Sequence, residues 1–523
     1  MTHNTSPNIV LIVLDTHRRD RISWYDYYRQ TTPNIDDFAR QATTFDQAIS
    51  AAQWTIPSHA SMFTGEYPTT HQTLQVHATI DERFDTLASL LRAKGYQTTG
   101  FCNNPLLGVL NNGLKRGFQT FYNYCGAVPS VPRHSISLPK PFNTLWEKYT
   151  QQLRKLSYPV QNAFAHSDFL FKASMHPKLV PLWVKFANFK GNTANSIRDV
   201  HEYLEKKEHA KQPQFVFLNL METHTPYTPP DNFIDKFAPY FRDSREARDI
   251  IRRNNIEAYR WLLPIEAPLA EIEEQVLNDM YDVEVNYQDY LLGQLLEYLN
   301  EAKDTLTIIV ADHGEGIGEH NFMGHSFVAY QELVHVPLII KFPQGQAQGR
   351  RIAENVSARR VFHTILDQAN IPHLAETEHR PAVDVRQLSL LRTVEGRDPE
   401  KGLVFSEAYA PSNVLTVLET QAPDSIDKFH CTTNRWAVFQ EEHKLVRLDG
   451  VQDELYNLVD NPTETDNIIE QNSITAEKLS GKLKAFISHA LARQPVSWHD
   501  GRTLDLDNDE NILKQLRALG YIE

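Results

Sequence analysis

Four short apolar runs recur along the chain without any polar alternation: Asn8–Leu14 (NIVLIVL), Gln214–Leu220 (QFVFLNL), Thr305–Ala311 (TLTIIVA) and 336–342 (VPLIIKF). A strand with one wet face reads with a period of two. These runs do not, so each must be covered on both faces, as in a parallel sheet packed between helices. Helical patterns lie between them, at 86–95 (TLASLLRAKG) and 283–302 (VEVNYQDYLLGQLLEYLNEA). This alternation predicts an α/β fold, a doubly wound sheet sandwiched by helices. At 523 residues the chain is too long for one small core, and length alone allows two or three domains, or one large domain with an appendage. The pattern changes near residue 356. RWAVFQEEHKLVRL alternates like an antiparallel hairpin, and ELYNLVDNP reads as a strand ending in a turn. The expected division is a main α/β domain over 1–355 and a smaller α+β domain over 356–523. Two poorly periodic stretches, about 126–194 and 232–270, read as insertions over one face of the sheet, on the substrate side.

The formal net charge of -14 argues against broad binding to nucleic acid or anionic membrane, yet leaves room for a small anionic substrate in a local pocket. Cys102, Cys125 and Cys431 are neither spaced as a zinc pair nor even in number, which fits a reducing compartment. The N-terminal apolar run is too short to span a bilayer, and no basic start or cleavage site accompanies it. The expected setting is therefore cytoplasmic, with no membrane insertion; the oligomeric state is left open.

The residues after each strand carry the chemistry. Asp15 follows the first run, METHTPY with His224 follows the second, and DHGEGIGEH, opening with Asp312 and His313, follows the third. Open α/β sheets place their sites at the carboxyl ends of strands. Each residue alone has an ordinary reading, as turn former, cap or structural imidazole. Together Asp15, Asp312 and His313 point to one divalent metal ion, and the mixed oxygen and nitrogen donors suit Zn²⁺ or Mn²⁺ better than Ca²⁺ or Mg²⁺. QWTIPSHASMFTG, residues 53–65, adds a threonine hydroxyl at the mouth of a helix, readable as a cap or as a nucleophile.

NIVLIVLDTHRRD, TIPSHASMFTGEYPTTH, DHGEGIGEH, GHSFVAYQELVHVPLIIKFP, ELYNLVDNPTETDNI and LRALGYI occur in order from residue 8 to 522. Together they resemble the sulfatase family of the alkaline phosphatase superfamily. The resemblance implies an alkaline-phosphatase-like mixed sheet with a smaller C-terminal sheet domain. It also implies a metal-activated nucleophile that attacks a phosphate or sulfate centre. Asp15, Asp312 and His313 are then metal ligands, and Thr55 is the nucleophile and a further ligand. His224 and His325 fall where relatives contact substrate oxygens or assist the leaving group.

Several departures bear on the reaction. Sulfatases convert a Cys or Ser to formylglycine within a motif that carries an Arg. Here Thr55 and His59 occupy those positions, so no formylglycine is expected, and His59 becomes a substrate-binding candidate. Asn103 and Asn104 occupy a region where relatives clamp the anion, and they are candidate substrate contacts or plain turn formers. Thr16 and His313 replace oxygen ligands of calcium sulfatases. The site resembles those of phosphonate monoester hydrolases and lipoteichoic acid synthases. The expected activity is hydrolysis of phosphate mono- or diesters or phosphonate esters through Thr55. Two alternatives stand beside it: sulfuric ester hydrolysis without formylglycine, and non-catalytic anion binding. Arg18 and Asp20 are expected to be structural, and Glu315 and His320 to orient His313.

Overall fold

The computed structural model describes residues 6–126, 128–132, 150, 153, 157, 167–186, 188–206, 212–374 and 383–494. Eight strands form the central sheet: β1 (Asn8–Leu14), β2 (Thr43–Ile49), β3 (Gln97–Cys102), β4 (Thr120–Asn123), β5 (Gln214–Leu220), β6 (Thr305–Ala311), β7 (His335–Lys341) and β8 (Arg351–Ser357). Their order is β8-β2-β7-β6-β1-β5-β3-β4. Every residue of β5 and β6, and β1 from Ile9 onward, is buried, as the unbroken apolar runs require. Each large aliphatic side chain so buried contributes about 1.5–3 kcal/mol.

Register brings the strand ends together. β1 runs parallel to β6 with Leu14 opposite Ala311, and parallel to β5 with Leu14 opposite Leu220. β5 in turn pairs with β3, with Asn219 opposite Cys102. Asp15, Asp312, the Met221–His224 turn and Asn103–Asn104 therefore leave one edge of the sheet within a few strand spacings, each about 4.8 Å. The fourth apolar run departs from the expected parallel pairing. β7 lies antiparallel between β6 and β2; a run buried on both faces fixes burial but not direction.

The helix expected at 283–302 spans Glu271–Glu301. Its first turns carry Glu271, Glu273 and Glu274, which suit the positive end of a helix dipole but hide the apolar period. The other expected helix forms over Leu87–Ala93, with Thr86 and Ser89 closing a capping box. The stretch 232–270 forms the helices Asp231–Phe237 and Arg245–Ile256, which pack on the Glu271–Glu301 helix. Much of 126–194 and the LRALGYI segment fall outside the described residues.

The C-terminal sheet is antiparallel: β9 (Val404–Ala408), β10 (Arg435–Gln440), β11 (His443–Leu448) and β12 (Glu454–Asn457). Its strands alternate. Trp436, Val438, Leu445 and Leu455 face the Ser473–Ala492 helix, while Ala437, Phe439 and Val446 face Phe327–Val334 of the larger unit. The boundary expected after residue 355 falls inside β8. Val361, Phe362, Leu374, Val385, Leu390 and Val394 pack into the core of the main sheet.

Candidate active site

The helix Thr55–Thr64 points its N-terminus at the strand ends. Trp54 is the cap residue and makes no side-chain cap bond, so Thr55 is the first helical residue and its hydroxyl is not a cap. Oγ1 lies 3.3 Å from His313 Nε2. The helix ends at Gly65, with φ of 76°, where an added Cβ would sit 2.6 Å from the Phe362 ring; both the backbone and the space require glycine. The Asp312 carbonyl accepts from Ser58 Oγ, at 2.7 Å, and from Ser50 Oγ, which ties this helix to the end of β6.

Asp15, Asp312 and His313 are fully buried, and each offers one donor atom within 4.8 Å of the others. His313 Nδ1 donates to the Gly314 carbonyl at 2.8 Å, which leaves the Nε2 lone pair facing Thr55 and Asp312 Oδ2, the latter at 3.4 Å. Asp15 Oδ2 accepts from Asn104 Nδ2 at 2.6 Å, and Asp312 Oδ1 accepts from the His313 and Thr16 amides. The other oxygens, Asp15 Oδ1 and Asp312 Oδ2, have no hydrogen-bond partner among the described residues. Two carboxylates without a cation are costly in such a place. Burial pushes the Asp15 carboxyl up to about 6 and Asp312 well above its usual range, and holds His313 well below its own. Unpartnered anionic oxygens, a free imidazole lone pair and a hydroxyl facing one point form a donor set that a divalent ion fits.

His325 and His224 extend the cluster outward. The His313 and His325 rings are 4.5 Å apart, and those of His325 and His224 are 5.2 Å apart. His325 Nδ1 bonds Glu315 Oε1 at 2.8 Å, and Glu315 is buried. Burial opposes charge on His325, yet the Glu315 carboxylate holds its pKa above the usual value. His224 Nδ1 donates to the Thr225 carbonyl at 2.6 Å; burial, then the charge on His325, bring its pKa down to about 3.

The remaining candidates lie deeper than the sequence suggests. His59 is fully buried, its ring edge-on to Phe63 and Phe217, with Nδ1 2.9 Å from the Thr55 carbonyl and 3.3 Å from Asp312 Oδ2. It sits one turn behind the nucleophile candidate, because residues i and i+4 share a helix face. Asn104 uses its amide on Asp15 and its Oδ1 on the Leu106 N–H. Asn103 donates to Thr193 Oγ1. Glu315 and His320 do not orient His313: Glu315 holds His325, and the His320 ring stacks on Tyr330 at 3.7 Å. Arg18 pairs with Asp20 and Glu319, as a structural pair should. Ser50 and Thr223, whose hydroxyls hold the Asp312 and Asp15 carbonyls, carry no sequence signal that sets them apart from other loop hydroxyls.

A strand-end cluster of buried acids and imidazole on a mixed α/β sheet, facing a hydroxyl at a helix N-terminus, defines an alkaline-phosphatase-like ester hydrolase. The sulfatase family model matches residues 7–371, and the chain belongs to that family. An uncharacterized sulfatase, YidJ, of Escherichia coli K12 is 22% identical over 474 residues, covering 89% of this chain and 83% of its own length. The multifunctional alkaline phosphatase superfamily protein PehA of Trinickia caryophylli is 26% identical over 408 residues, 69% of this chain and 74% of its own. The crystal structure of the phosphonate monoester hydrolase of Agrobacterium radiobacter superposes with a TM-score of 0.62 at 20% identity, over 93% of this chain and 96% of that one.

Proposed function

We propose that this enzyme hydrolyses phosphate mono- or diesters or phosphonate esters, with Thr55 as the nucleophile. The observation that carries the reading is the Thr55 hydroxyl, 3.3 Å from the free Nε2 of His313 and beside two buried carboxylates. Asp15, Asp312, His313 and Thr55 would hold a divalent ion, Mn²⁺ or Zn²⁺ by donor type, which when bound neutralises the anionic ester and lowers the pKa of the hydroxyl. Backbone N–H groups of the first turn after Trp54 face the same point and favour an anion there. Thr55 Oγ1, its hydroxyl proton released to solvent, attacks the phosphorus and the ester P–O bond breaks. His325, with Nδ1 fixed on Glu315, gives its Nε2 proton to the leaving oxygen. His224, neutral and with Nε2 free, accepts a hydrogen bond from a substrate hydroxyl. Water then attacks the phosphorus and releases Thr55 Oγ1, since a threonine has no second hydroxyl on the carbon bearing Oγ1 through which to eliminate the group.

The test is a panel of nitrophenyl phosphate, phosphodiester, phosphonate and sulfate esters with added Mn²⁺ or Zn²⁺. Turnover of phosphorus esters, with a phosphorylated Thr55 trapped by acid quench and absent from Thr55→Ala, is the expected result. Turnover confined to sulfates would overturn the choice of phosphorus. Full activity in Thr55→Ala would overturn the choice of nucleophile.

A further inference from the structure

Seven large hydrophobic side chains are exposed among the described residues, and three of them fall within one short stretch: Phe169 at 77%, Leu179 at 43% and Leu182 at 51%. Phe169 lies on the helix Asp168–Ser174, Leu182 on the helix Val180–Phe186, and Leu179 in the turn just before the second helix, at the end of the first insertion. Both helices are anchored from behind. Phe171 and Met175 pack on the core shared with the Ser412–Gln421 helix, and Val180 is buried against Ala258 and Trp261. The outward apolar groups are therefore held on seated helices and the turn that joins them. A patch so placed on a folded surface marks a contact site.

Charge says what covers it. Across 167–190 the sequence carries Lys172, Lys178, Lys185 and Lys190 against Asp168 alone, in a chain of net charge -14. Lys190 turns inward to Glu284 at 3.1 Å, while Lys178 is exposed next to Leu179. Apolar side chains beside lysines on short, surface-lying helices match an anionic lipid headgroup layer. A second copy of the chain, paired patch to patch, would set lysines against lysines. The acidic remainder of the molecule is repelled by such a membrane, which leaves this face as the one that docks.

We propose that residues 167–186 form a peripheral docking surface for anionic lipid membranes. Phe169, Leu179 and Leu182 enter the headgroup layer while Lys172 and Lys178 meet its negative charge. A few residues further on, the Phe189 ring lies edge-on to His224 at 5.5 Å.

Flotation of the full-length protein with vesicles tests this without any turnover. Binding is expected to vesicles of equal phosphatidylcholine and phosphatidylglycerol, to be much weaker on phosphatidylcholine alone, and to fall steeply between about 0.1 and 0.5 M NaCl, over which the Debye length shrinks from about 10 Å to about 4 Å. The triple variant F169S/L179S/L182S should lose more than about tenfold in vesicle affinity, with its unfolding temperature nearly unchanged because the three side chains are exposed. Lys178→Ala alone should lose about fivefold, and it keeps the test decisive if the triple variant fails to fold. No flotation with either vesicle would overturn the proposal, as would unchanged binding by both variants. A vesicle-free dimer abolished by the same substitutions would overturn it in favour of self-association.

Discussion

Asn104→Ser separates two jobs that the sequence leaves open for this residue. In the structure the Asn104 amide gives its hydrogen bond to Asp15 Oδ2 at 2.6 Å, between two groups that are each at most 1% exposed. Its Oδ1 caps the short helix Pro105–Gly108 through Leu106 N at 2.8 Å. Serine retains a capping oxygen but cannot reach Asp15. The lost bond had a charged acceptor, worth about 1.5–3 kcal/mol when buried, and loss of a group that orients a metal ligand typically weakens the metal by about 10–100-fold. At about 1.4 kcal/mol per tenfold the two ranges agree. Chelator-stripped protein titrated with Mn²⁺ by calorimetry should therefore show a dissociation constant raised about 10–100-fold, with KM at saturating metal unchanged. An unchanged metal affinity with a raised KM would return Asn104 to substrate contact. No measurable metal uptake by the wild-type chain would remove the metal centre itself.

Other perturbations probe separate parts of the structure. His325→Ala should cost about 10²–10⁴ in kcat on alkyl esters and far less on nitrophenyl esters, whose leaving oxygen needs no proton; a leaving-group series checks this. Gly314→Ala would place a Cβ 1.9 Å from the Glu332 carbonyl oxygen, so the His313 loop must shift, and lower metal content should accompany the loss of stability, read by elemental analysis and thermal unfolding. Lys444 and Glu464 form a fully buried ion pair at 2.5 Å, and Lys444→Met should cost about 3–5 kcal/mol in denaturant unfolding by stranding the carboxylate. Glu407, buried under Thr69 and Tyr409, has its pKa raised by burial to about 7 from 4.5. A carboxyl with a raised folded pKa stabilises fully below its unfolded pKa and loses that contribution as pH rises through the folded one. Stability should fall by up to about 3 kcal/mol between roughly pH 4.5 and pH 8, and Glu407→Gln should flatten that slope.

The fold was legible where burial is two-sided. An uninterrupted Ile-Val-Leu run fixes a central strand, and the residue after it is placed by the chain itself, so Asp15, Asp312, His313 and His224 could be read as a group. Strand direction was not legible: β7 carries an unbroken apolar run as β6 does, but runs the opposite way. Distances between side chains were less legible still. His59 stands where the resembled motif carries an Arg, and Asn103 and Asn104 fall where relatives clamp the anion, which made them substrate candidates. The fold puts them behind it, because a helix period returns His59 to the backbone of Thr55 and the β3–β5 register carries Asn104 to Asp15. Glu315 is two residues from His313, yet it serves His325, ten residues on, across the short hairpin of Gly316–Ile317 and Met323–Gly324.

That hairpin explains why the two outer histidines differ, and it argues for dividing their roles. Both rings are largely enclosed and 5.2 Å apart, so they cannot share charge without penalty. Only one of them has a buried carboxylate at its Nδ1; the other bonds a neutral carbonyl. Whichever ring protonates first suppresses the other, and the Glu315 bond decides that it is His325. A charged donor and a neutral acceptor side by side beyond the proposed metal ligands suit an ester whose leaving oxygen is protonated as the bond breaks. On that reasoning Glu315→Gln should impair alkyl esters as His325→Ala does, whereas His224→Ala should raise KM more than it lowers kcat. Equal effects of the two histidine substitutions on every ester would show that the pair is not divided in this way.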